Sequence, residues 1–280
     1  MADGGLFGPR TVSWHLHGDP TMWVAGICSL FLQALHPRAV AAVVQNSRFQ
    51  EDPIGRLRRT SDFVGVATYG TTEKARTAAQ RVRRVHRMLS ASDPRTGDEI
   101  RLDDPDLLLW VHCAEVASFS EVVRRAGFPL SDAQHDRYFA EQRRSAELVG
   151  LDPGQVPGSR SEMEDYFRRV RPELARTRES DVVFRFLHHP FTTWWSRPLN
   201  VGYLPVGHLA YSLLPDWARD LHGRPAMADP VATAGAKAFR AFGRSVPDRI
   251  RYRFPSGHVL AAVERLGEQA FPSAEAVRSL

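Results

Sequence analysis

Two imidazoles and a carboxyl define the chemistry open to this chain. From Glu73 to Leu89 the sequence predicts a helix with a single apolar stripe of Ala75, Ala78, Ala79, Val82, Val85 and Leu89. His86 lies inside that stripe, while Arg76, Arg81, Arg83, Arg84 and Arg87 fall on the opposite side. An imidazole on a buried face must find a hydrogen bond or a metal, because an unpaired buried polar group is costly. On a second predicted helix, capped by Asp104 with Pro105 in its first turn, Leu108, Val111, His112, Glu115, Phe119 and Val122 share one face. Glu115 follows His112 by one turn, a spacing that suits a structural polar pair as well as support for a cofactor behind it.

His86 has two readings at this point: a core histidine bonded to a carbonyl or carboxylate, and a metal ligand. One axial imidazole from a helix, apolar walls and arginines nearby for propionates is the set that a b-type haem requires. Other chemistries are excluded by their missing motifs. No Gly-x-Ser-x-Gly elbow, Walker A loop, Gly-x-Gly-x-x-Gly or Cys-x-x-Cys pair occurs. No Glu is followed by His three positions on, so a di-iron bundle is not expected. His15-Leu-His17-Gly-Asp19 has the spacing of metal ligands but reads as part of an exposed arm. His188-His189-Pro190 reads as a helix end, where histidine complements the dipole.

The elements that must position these residues are helical. Helices are expected at about 20–35, 37–48, 104–126, 131–149, 179–188, 204–221, 229–244 and 257–270, with a short one around Phe63–Val66 and one opened by Ser161-Glu-Met-Glu164 as a capping box. Residues 1–20 read as an N-terminal arm, 47–60 as an irregular connection, 92–97 as a turn-rich segment, and 226–280 as a C-terminal helical extension. Strand signals are sparse and no linker divides the chain, so residues 1–280 are expected to form one all-α, multi-helix domain.

The composition, 43% hydrophobic and 25% charged over 280 residues, is that of an ordinary soluble globular protein. The formal charge of +5 comes from arginines interleaved with acids on helix faces, and no nucleic-acid partner is expected. Cys28 and Cys113 lie in apolar runs and read as core residues. The apolar run Met22–Leu35 is too short for a membrane span, the N-terminus lacks the pattern of a signal peptide, and a cytoplasmic location is the expectation.

The order His36-Pro37, Asn46-Ser-Arg-Phe49, Asp52-Pro53, Arg56-Leu-Arg-Arg-Thr60, Val82-Arg-Arg-Val-His86, Trp110-Val-His112, Gly150-Leu-Asp-Pro153 and Ser161-Glu-Met-Glu-Asp-Tyr-Phe167 resembles the MpaB/latex-clearing-protein oxygenase family over roughly residues 10–225. The resemblance implies a globin-like helical core, one haem b, and His86 as the ligand of its iron. It also places Arg59 where rubber-cleaving members carry a lysine that caps the iron. Guanidinium stays protonated and is a poor iron ligand, but it suits hydrogen bonding to bound oxygen, a carboxylate or a propionate. The distal acid of those members has no counterpart in Ala39-Val-Ala-Ala-Val-Val44, so cleavage of polyisoprene is not expected. The expected function is a haem-dependent oxygenase or oxidase acting on a small organic metabolite with dioxygen or peroxide. Arg59 and Thr60 are the distal candidates, Arg56 a propionate or structural arginine, and His112 with Glu115 the supporting pair or, for His112, the alternative axial ligand. A haem protein that senses or carries a gas is the first alternative, and a cofactor-free helical binding protein the second.

Overall fold

The computed structural model describes residues 2–46, 53–254 and 256–280, and shows a single all-α domain. In chain order its helices are α1 (Val12–Leu16), α2 (Met22–Gln33), α3 (Pro37–Asn46), α4 (Pro53–Tyr69), α5 (Thr72–Met88), α6 (Pro105–Arg125), α7 (Asp132–Val149), α8 (Arg160–Val170), α9 (Arg178–His188), α10 (Leu199–Ser212), α11 (Asp216–His222), α12 (Asp229–Ser245), α13 (Asp248–Arg251), α14 (His258–Leu266) and α15 (Ala274–Val277). Strands β1 (Ser90–Ser92) and β2 (Glu99–Arg101) pair antiparallel and bracket the turn expected near residues 92–97.

The centre is α2, which is apolar nearly all round and buries Val24, Ala25, Ile27, Cys28, Phe31 and Leu32 between α6 and α10. Pro37 starts α3 at a position where a missing N–H leaves no gap, and the chain bends by 109° between α2 and α3. Among the described residues no single helix is long and apolar enough to cross a membrane. Cys28 and Cys113 are buried free thiols.

Several boundaries differ from the sequence expectation. The N-terminal arm is not exposed: α1 is wholly buried, with Val12, Trp14 and Leu16 fully covered. Glu141 of α7 accepts from the Val12 and Ser13 amides at 3.2 and 2.9 Å, so a side chain 129 residues away satisfies the start of this short helix. Helix α4 begins at Pro53 rather than near Phe63, and so takes in most of the expected irregular connection. The motif residues 47–52 lie outside the described residues. Ser159, not Ser161, caps α8; both offer the Ser-x-x-Glu spacing, and the Ser159 hydroxyl accepts from the Glu162 amide. Pro215 splits the helix expected over 204–221 into α10 and α11.

Candidate functional site

Helix α5 opens on Thr71, whose hydroxyl accepts from the Lys74 amide, and packs against α4 and α7. Its stripe is buried at Ala75 and Ala79, but Val85 is 46% exposed, so the expected burial holds only in the first half of the helix. His86, near its end, is partly buried; its Nδ1 is fully enclosed and has no hydrogen-bond partner. Burial lowers its pKa against the opposing pull of the Asp103 charge.

Asp104 accepts from the Asp106 amide and Pro105 occupies the first turn of α6, as the sequence predicts. Along its inner face His112 is buried, with its pKa pushed down to about 4 by desolvation, and its Nε2 has no partner. One turn on, burial pushes the Glu115 carboxyl up to about 7. The expected His112–Glu115 pairing does not form. Both imidazoles are thus kept neutral, with lone pairs free to bind, and Glu115 can exchange a proton near neutral pH.

Beyond Glu115 the same face leads to a group the sequence reading missed. The Phe119 ring meets His17 edge-on with centroids 5.6 Å apart, and the Glu115 charge acts on the Tyr138 hydroxyl. His17 is partly buried, and desolvation pushes its pKa down to about 3. Its Nδ1 lies 2.8 Å from Thr68 Oγ1 and its Nε2 lies 3.0 Å from the Tyr138 hydroxyl. Thr68 donates its own proton to the Val64 carbonyl at 2.8 Å, so Thr68 must accept from His17 Nδ1–H. That fixes the tautomer: Tyr138 O–H donates to His17 Nε2. The chain of bonds runs from the Tyr138 hydroxyl through His17 and Thr68 into the backbone of α4. No pattern in the sequence signalled it, because its members come from α1's C-cap, α4 and α7.

The remaining residues of the Gly18-flanked histidine pair are structural. His15 Nε2 contacts the Pro9 carbonyl at 2.8 Å and Nδ1 accepts from the Ser273 amide at 3.1 Å, which spends both nitrogens and leaves none for a metal. His188 ends α9 as expected, with Nδ1 at 3.0 Å from the Phe184 carbonyl. Arg59 and Thr60 are exposed on α4, and Thr60 lies inside the helix rather than at a cap. Arg56 is in the backbone of α4, but its side chain lies outside the described residues.

Among the described residues no three His, Cys, Asp or Glu side chains converge to hold a bare metal ion. A haem iron needs only one or two protein nitrogens, and the orphaned nitrogens of His86 and His112 fit that donor set. The chain belongs to the family described as ER-bound oxygenase mpaB/B'/rubber oxygenase, catalytic domain, which it matches over residues 14–248. It is 27% identical over 128 residues to uncharacterized proteins of Mycobacterium bovis and Mycobacterium tuberculosis, covering 45% of this chain and 49% of each relative. The chain thus spans about half the length of the curated relatives it matches. No solved structure matches.

Proposed function

We propose that this protein is a b-type haem-dependent oxygenase or oxidase acting on a small organic molecule, with His86 as the axial ligand. The observation that carries the reading is that His86 on α5 and His112 on α6 each keep an enclosed imidazole nitrogen without a partner, as His135 does on α7, in a family of oxygenases. An orphaned buried polar group costs about 1–3 kcal/mol, and a cofactor that ligates nitrogen would relieve that cost at His86 or His112. Bound haem would supply the activation of dioxygen or peroxide. The chain's own residues would do the rest. His86 would hold the group from α5. Arg59 and Thr60 donate hydrogen bonds to substrate oxygen, Arg59 in place of an iron-capping lysine. Glu115 holds or releases a proton beside His112, while Tyr138 and His17 fix the pocket wall.

The test is the absorption spectrum of protein produced with haem supplied. We expect a Soret band in the wild type and in His112→Ala, and its loss in His86→Ala. Loss in His112→Ala with retention in His86→Ala moves the ligand to α6. Colourless wild-type protein, or a band kept in both variants, removes the assignment.

A further inference from the structure

The segment between α9 and α10 presents two consecutive indoles to solvent: Trp194 is 85% and Trp195 66% exposed, followed by Leu199 at 54% and Val201 at 80%. This is a built turn. The Thr193 carbonyl accepts from the amides of Ser196 and Arg197, each at 3.0 Å. The Asn200 amide clasps the Phe191 backbone from both sides, its Oδ1 accepting from the N–H at 3.1 Å and its Nδ2 donating to the carbonyl at 2.8 Å. The hydrogen bonds therefore hold the indoles outward, although burying side chains of this size is favourable by about 1.5–3 kcal/mol each.

Charge says what covers them. From Val182 to Pro215 there is no Asp or Glu, whereas Arg185, His189 and Arg197 are exposed on the same segment. Tryptophans on a segment that carries exposed arginines and no acid match the headgroup region of an anionic bilayer, where the ring is half desolvated and the arginines meet lipid phosphate. A second copy of the chain fits worse, because a two-fold contact would bring the same cations against each other.

We propose that this turn seats the protein on the surface of anionic lipid membranes, with Trp194 and Trp195 inserted among the headgroups. The experiment is co-sedimentation of the full chain with phosphatidylcholine vesicles, with and without phosphatidylglycerol. The wild type should pellet with the anionic vesicles, less so at high salt, and its tryptophan emission should shift to the blue on binding. Trp194→Ser with Trp195→Ser should weaken pelleting by about tenfold or more, from the apolar area lost. Arg197→Glu should weaken it on anionic vesicles alone. Far-UV circular dichroism on each variant checks the fold. No pelleting of the wild type, equal pelleting of the tryptophan variant, or a dimer in lipid-free solution that the tryptophan variant dissociates overturns the proposal.

Discussion

His112 and Glu115 stand one turn apart on one face of α6, the first buried and the second partly buried, and exchange no hydrogen bond. Buried polar side chains in folded proteins are nearly always paired. His112 Nε2 is left without a partner, and the cost of keeping Glu115 beside it can be read from the titration of the carboxyl.

Burial raises the Glu115 pKa from 4.5 to about 7. Its contribution to stability is fully present below the unfolded value and is lost as pH rises through the folded one. In the haem-free protein, Glu115→Gln should match the wild type near the lower end of that window. At about pH 8 it should be more stable, by on the order of 2–3 kcal/mol. The buried histidines, whose pKa values are lowered, bend both curves alike below their ordinary range, so the difference between the two urea-unfolding curves is the readout. A difference that does not grow with pH removes the buried, unpartnered carboxyl from the site.

His17 is the second probe. Its replacement by Leu leaves the Tyr138 hydroxyl without its acceptor and Thr68 without its donor, both enclosed. The expected loss is about 1–3 kcal/mol, read by urea unfolding, and Tyr138→Phe should lose less because Thr68 keeps its donor. Equal stability of wild type and His17→Leu would contradict the bonded chain between α4 and α7.

The parts of this arrangement that were legible in the sequence are those written within single helices. The 3.6-residue period gave α5 and α6 and the buried face that holds His112, and Asp104-Pro105 marked its helix start with a local signal. What was illegible depends on partners distant in the chain. Nothing in residues 1–20 announces that Glu141 will cap α1 or that Trp14 will donate to the Ala270 carbonyl at 2.8 Å, so Gly and Pro punctuation read as an arm. His17 looked like half of a metal motif for the same reason. Asp52-Pro53 carried the same start signal as Asp104-Pro105, but the polar run of arginines after it hid the apolar face of α4.

Gly243 of α12 tests how closely the two ends of the chain are packed. A Cβ built there would lie 2.4 Å from Pro20 Cβ, a contact with a rigid ring that has no flexible end to move aside. Gly243→Ala should destabilise by about 1–3 kcal/mol through overpacking, despite the helix propensity that alanine adds. A stabilised variant, measured by denaturant unfolding, would show that α12 stands further from the Pro20 turn.

Beside that contact, Asp19 and Arg240 form an ion pair at 2.7 Å in which both side chains are buried. Asp19 also accepts from the Thr21 amide at 3.0 Å, and Arg240 donates to the Gly127 carbonyl at 3.0 Å while its guanidinium faces the Phe128 ring. Removing one partner leaves the other charge buried and uncompensated, so Asp19→Leu and Arg240→Met should each cost about 3–5 kcal/mol. The double variant removes both charges and should recover most of that loss, because the attraction within a buried pair roughly offsets its desolvation. Recovery should stop short of the wild type, since the Thr21 amide and the Gly127 carbonyl each lose a partner. A double variant whose loss equals the sum of the two single losses would mean that the charges do not face each other, and that the α12 end is held to the Pro20 turn by packing alone.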